Sequence, residues 1–436
     1  SLKAGNINQF ALTDGTNHFD SKETVSTVSI LLGNISASTP PIEVDRYASP
    51  ADRLLSFNIL RKIRKDVTLK GNVGYSYAKS QYDYSLTRSY TDAENNIVIS
   101  QAYSPLSSVH RPSIQLEYKD NSDKTYLVNT LSGVGSFLTS ELPTRENGTL
   151  VNQKQTMREF FLNNKFSTLW HHKDLRWSLT SVVSYQGSPM GKVALDKETK
   201  DAVVQNANGQ SFRTENTLSL SKKHRNSRIY LPILLNYYMD KVQTTLHPTD
   251  ESNDGSMQNL RVALAPQYEY SHFQYRYVLR LEVPVRMDYI AHRDHMIASS
   301  GSWYFSVCPS MYCNYKLTSR SVLRTNIFYA RTFGDILDFL KSPVRIDDTS
   351  MKMGSGILAD YKSFNAALHF DYKIPLKMWF FNADILYNQE RSNILASQDA
   401  SNTLVTMSKI YAPNTAKSLI GQVGITKFIE SIKTKI

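Results

Sequence analysis

The stretch Tyr275–Tyr289, YRYVLRLEVPVRMDY, alternates along its whole length. Tyr275, Tyr277, Leu279, Leu281, Val283, Val285, Met287 and Tyr289 form one row. Arg276, Arg280, Glu282, Arg286 and Asp288 fall in the other. Successive side chains of a strand point to opposite faces, so the pattern predicts a ribbon with one greasy and one charged side. The alternation lasts more than twice the roughly 5–6 residues of a soluble strand. Tyrosines bound the apolar row at both ends, as in a strand that crosses a bilayer with its rings at the two interfaces. Pro284 lies on the charged side, where it removes a ladder donor and predicts a bulge.

The same unit recurs along the chain. A strand ends in a short polar turn, a second strand follows, and a longer polar connection comes next. FFLNNKFSTLW, the turn HHKD and LRWSLTSVVSYQ make one such unit; SFRTENTLSLS, KKHRNS and RIYLPILLNYYM make another. Long connections are predicted over 187–210, 247–257, 291–301, 334–356 and 389–401. Residues 1–48 are weakly patterned, with a β-prone stretch at Glu23–Gly33. A sandwich gives no reason for short and long connections to alternate, whereas an outer-membrane barrel has short periplasmic turns and long external loops. Aromatics mark both ends of the apolar rows: Trp170, Trp177, Tyr268, Tyr275, Tyr277, Tyr372 and Trp379 near the short turns, and Tyr77, Tyr185, Tyr289, Trp303 and Tyr387 near the loops.

The fold read from this pattern is all-β: a large antiparallel transmembrane barrel forming a single domain over 1–436. It has roughly fourteen to sixteen strands and is incomplete, since a plugged transporter has about 22. The opposite faces are polar. Arg176, Arg213, Glu215 and Asp384 join Arg276, Arg280, Glu282, Arg286 and Asp288 as residues expected to line a wet lumen or hold a polar element inside it; the competing reading pairs them across neighbouring strands.

Composition narrows the alternatives. The chain has 436 residues, 26 Tyr and 18 Phe. Its mean hydropathy is −0.37. No run approaches the roughly 18 apolar residues of a membrane helix, and a membrane protein without one must be a closed barrel. The net charge of +11 is spread over the chain with no clustered basic motif, which argues against nucleic acid and suits anionic lipid headgroups or an anionic ligand. Cys308 and Cys313 would lie about 16 Å apart on opposite faces of one strand, too far to bridge.

The residues Arg53–Tyr77 (RLLSFNILRKIRKDVTLKGNVGYSY), Leu175–Gln186 (LRWSLTSVVSYQ) and Phe328–Asp348 (FYARTFGDILDFLKSPVRIDD) carry a resemblance. From about Arg53 the chain resembles the barrel portion of TonB-dependent outer-membrane transporters, in the style of Bacteroidota receptors. The resemblance implies import of a large nutrient (a chelated metal, glycan or peptide). It also implies partners: outer-membrane lipid, a plug domain of the same parent protein, the inner-membrane energy-coupling protein TonB and a surface lipoprotein. The family's plug, energy-coupling box and terminal strand are not found in this sequence, and neither is a signal peptide, so the reading is of a fragment.

No catalytic constellation and no cofactor motif stands out. SGVGSF (Ser132–Phe137) lacks the helix a phosphate loop needs. DESNDG (Asp250–Gly255) starts like a calcium loop, but Arg261 stands where the bidentate glutamate belongs. HRDH (His292–His295) falls short of four zinc ligands. Tyr329, Phe333, Asp335, Asp338 and Phe339 are candidates for a ligand mouth, with DILDFLK predicting a short helix there. Two readings stand beside the transporter: a passive porin or structural barrel, and a secreted β-protein that binds or hydrolyses carbohydrate.

Overall fold

The computed structural model describes residues 2–5, 27–32, 51–91, 96–122, 125–146, 149–172, 174–197, 200–272, 276–346, 350–401, 404–429 and 434–435. Its wall is one continuous sheet in which each long strand pairs antiparallel with the one before. Asp52–Arg64 pairs with Val67–Gln81, which pairs with Leu106–Asn121. The ladder then passes through Thr125–Glu146, Thr149–His172, Leu175–Lys197, Lys200–His224 and Ser227–His247. It ends through Ser321–Phe333, Asp360–Ile374, Trp379–Ser401 and Leu404–Ile429. Among the described residues no ladder joins the first of these strands to the last. The architecture is the predicted one: a large antiparallel transmembrane β-barrel of the outer-membrane type.

The outward rows confirm the register. Ile233 is 47% exposed, Leu281 37%, Met287 47% and Ile385 51%. No second layer covers them among the described residues. Uncovered aliphatic side chains in the middle of long strands fit hydrocarbon rather than water. Trp170 and Trp177 stack at 6.4 Å near a short turn, and Tyr289 and Trp303 meet at 5.1 Å near the loop end. Trp379, Tyr185, Tyr277 and Tyr387 also fall in their expected rows; Tyr275 lies outside the described residues.

Three neighbouring strands are interrupted at one level, each at a proline. Glu251–Leu264 resumes as Gln267–His272, Tyr277–Glu282 as Val285–Asp294, and Ile297–Val307 as Ser310–Lys316. Proline offers no N–H, but its carbonyl still accepts: Val283 N donates to Pro266 O at 3.1 Å, Cys308 N to Pro284 O at 3.0 Å and Tyr329 N to Pro309 O at 3.0 Å. The bulge expected at Pro284 is not found: Glu282 faces Gln267 and Val285 faces Leu264 in one unshifted register, so the proline leaves a gap in the ladder instead. Beyond Pro309, Ile297–Val307 has no ladder with Ser321–Phe333. Side chains span that seam. Arg331 Nη1 donates to Phe305 O at 3.1 Å, and Arg286 Nη2 donates to Arg331 O.

Several stretches expected as long loops are built as hairpins. Lys200–His224 has 25 residues, whereas about 9–11 tilted residues cross a bilayer. The surplus continues as paired strand beyond the membrane, through most of 187–210, 247–257 and 389–401. Such polar stretches lose the apolar alternation yet keep their main-chain hydrogen bonds. DESNDG is likewise mostly strand: Glu251–Leu264 begins inside it. One connection, between Phe333 and Asp360, folds inward and carries a short helix, Ile336–Phe339.

Candidate functional site

The buried apolar core gathers at the loop end of the wall. Met157, Val193, Leu195, Ala207, Val242, Met257 and Ile290 come from the strands. Val28, Leu31 and Leu32 come from a helix, Thr27–Leu32, and Ile336, Leu340 and Val344 from the inward connection. The β-prone reading of Glu23–Gly33 is therefore corrected over Thr27–Leu32; the rest of that stretch lies outside the described residues. Val28, Leu31 and Leu32 recur at the three- and four-residue spacing that gives a helix one apolar face, and that face is what the site buries.

Glycines on the wall admit these pieces. A Cβ on Gly191 would stand 2.7 Å from Val28 Cγ1 and 2.8 Å from Leu32 Cδ1; on Gly209 it would stand 2.9 Å from Val28 Cγ2. On Gly255 it would lie 2.5 Å from Leu340 Cδ2. Polar contacts fix the orientation. Ser29 Oγ donates to Glu159 Oε1 at 2.7 Å. The Asn253 amide holds Ser342 from both sides, accepting from its N–H at 2.9 Å and donating to its carbonyl at 3.1 Å. Gln205 Oε1 accepts from Arg345 N at 3.0 Å. Asn253 and Gln205 are 2% and 1% exposed, so each hydrogen bond is made where a lost partner would leave a buried polar group.

Of the proposed mouth residues, Asp335 caps the short helix, accepting from Leu337 N at 3.0 Å and Asp338 N at 3.2 Å. Asp338 and Phe339 are buried. Asp338 pairs with Lys409 and accepts from Tyr361 OH at 3.3 Å. Phe333 packs on Tyr304 with ring centroids 4.7 Å apart. Tyr329 lies apart from these, in register with the outward Phe364. His292 lies three residues past the Tyr289–Trp303 pair, above the hydrocarbon. Its ring is 4.3 Å from that of Phe339, and burial pulls its pKa below the usual imidazole range.

Below this cap the lumen is polar. Arg261 and Arg286 converge on Asp288, at 2.6 and 2.8 Å. Arg280 reaches Glu269 at 2.9 Å. Arg213 stands 3.9 Å from Asp240, and Glu215 accepts from Tyr238 OH at 3.2 Å. His369 bridges Asp371, at 2.9 Å, and Asp384. Arg276 instead caps a turn, donating to the carbonyls of Lys316 and Leu317, each at 3.2 Å. Glu282 sits opposite Gln267 and Ser310, and Arg176 opposite His171 and Ser221. Many of the lumen charges thus pair across strands. What sequence reasoning missed is the apolar cap above them; the glycines facing it were the available signal.

No family model matches the sequence, and no curated protein matches it. The fold is similar to that of the ferric yersiniabactin uptake receptor FyuA from Yersinia pestis, with a TM-score of 0.52 and 13% identity over 87% of this chain. The chain spans 60% of that receptor's length. The outer membrane transporter YddB from Escherichia coli matches at a TM-score of 0.47, with 12% identity, over 87% of this chain and 52% of its own. The hemophore receptor HasR of Serratia marcescens, solved with its hemophore HasA and heme, matches at 0.49, with 8% identity, over 88% and 62%.

Proposed function

We propose that the chain forms the wall of an active outer-membrane importer for a large nutrient such as a chelated metal, glycan or peptide. Its lumen is closed at the loop end until substrate binding and energy supplied through TonB release the cap. A plug from the parent protein and a surface lipoprotein complete the machine in this reading. The observation that carries it is the inward connection, anchored by Asn253 and Gln205 and seated on Gly255. A passive pore has no use for an apolar lid fixed by buried hydrogen bonds. The likeness to the FyuA fold supports the architecture of such an importer.

The test is leakage. Cells carrying the wild-type protein are expected to stay resistant to a large antibiotic that the outer membrane excludes. Gly255→Leu pushes against Leu340 and should unseat the cap, raising sensitivity about tenfold if the cap loses about 1.4 kcal/mol. Wild-type cells already as sensitive as the variant would favour the porin reading.

A further inference from the structure

Some cations at the loop end and in the lumen have acidic partners: Lys154 with Glu141 at 2.5 Å, Arg331 with Asp360 at 2.9 Å and Arg261 with Asp288 at 2.6 Å. At the short-turn rim Arg64 reaches Asp120 at 3.6 Å. Arg61, Lys222, Arg225, Arg320 and Lys427 are exposed and have no ion pair among the described residues. Two of the turns read RKIRKD and KKHRNS, and Asp66 is the one acid in either.

Three of these cations stand on the hydrocarbon-facing register. Arg61 lies opposite Leu69, two residues beyond Ile59, which is 53% exposed. Lys222 lies opposite Leu175 and Ile229, two residues beyond Leu220, which faces Trp177. Lys427 lies opposite Trp379, two residues beyond Ile425, with Nζ 4.9 Å from the indole ring. On three separate strands a cation follows the apolar row near its short-turn end, with the exposed Ile63 beyond Arg61. The aliphatic stem of Arg or Lys can stay along the apolar surface while its head reaches the interface. That places the charge at the depth of lipid phosphates, outside the lumen where a transported anion would pass.

We infer that the short-turn rim binds anionic phospholipid of the leaflet it meets, through Arg61, Lys222 and Lys427. Uncompensated cations beside an aromatic girdle attract anionic headgroups over zwitterionic ones, and the attraction weakens with salt.

The experiment is spin-label electron paramagnetic resonance on the full chain in phosphatidylcholine bilayers, comparing the motionally restricted fractions of labelled phosphatidylglycerol and labelled phosphatidylcholine. The wild-type protein is expected to prefer phosphatidylglycerol about threefold at low salt. The preference should fall to none at 1 M NaCl, where the wild-type fold is untouched, and in the triple variant Arg61→Gln, Lys222→Gln, Lys427→Gln. The loop-end triple Lys154→Gln, Lys241→Gln, Lys362→Gln should keep it. The inference is overturned by equal association of the two lipids with the wild type. A preference that persists in the rim triple, or is lost equally in the loop-end triple, overturns it too.

Discussion

Asp288 has no solvent exposure, and two guanidiniums stand within 2.8 Å of its carboxylate. Removing it leaves Arg261 and Arg286 facing each other in a partly buried wall. Asp288→Ala is therefore expected to cost about 3–5 kcal/mol, read from urea unfolding in detergent; a loss under 1 kcal/mol would mean that water already solvates the pair. His292 makes a second prediction at this scale. Its folded pKa is depressed by burial against Phe339. The released form binds protons more readily, so the cap's stability is complete above about pH 6.5 and declines as the pH falls through that value. Protection of the Ile336–Leu340 amides, corrected for intrinsic exchange, should drop on acidification. His292→Phe keeps a ring on Phe339 and should remove the dependence; an unchanged profile would assign it to another group.

The strand is the unit at which this sequence was most legible. From Leu279 to Tyr289 the alternation gave both faces, because hydrocarbon on one side and polar lumen on the other impose a strict two-residue period. Leu281 lies opposite Tyr268 and Met311 in the outward row, and Glu282 opposite Gln267 and Ser310 in the inward one. Leu281→Arg is thus expected to cost about 2–4 kcal/mol in folding into vesicles, and Glu282→Arg less; equal costs would contradict the register. Legibility stopped where that environment stops. Above the girdle the outer side of Lys200–Gln210 no longer meets hydrocarbon, while Gln205 and Ala207 are buried under the cap, so the apolar–polar alternation is lost. Val28, Leu31 and Leu32 bury their helical face against Gly191 and Gly209, which lie far away in the sequence. The alternation puts the charged row on one face, but it could not say that Arg286 would reach the Arg331 carbonyl across a proline-bordered seam.

At the scale of the whole molecule the wall separates oil from water, and two cysteines report on the separation. Cys308 shares its face with Ser306 and Ser310, opposite the lumen residues Arg286 and Glu282. Cys313 lies opposite Leu279 and Thr325, on the outward face. Both thiols are free and partly exposed, so access depends on which solvent each one meets. A thiolate is the reactive form and needs water to ionise. In membranes, a charged maleimide should label Cys308 in the Cys313→Ser variant, more so when Gly255→Leu loosens the cap above it. In the Cys308→Ser variant the same reagent should fail, while a lipophilic maleimide reaches Cys313. Charged reagent on Cys313 would put water against the greasy rows, and with it the whole bilayer orientation of the barrel would be lost.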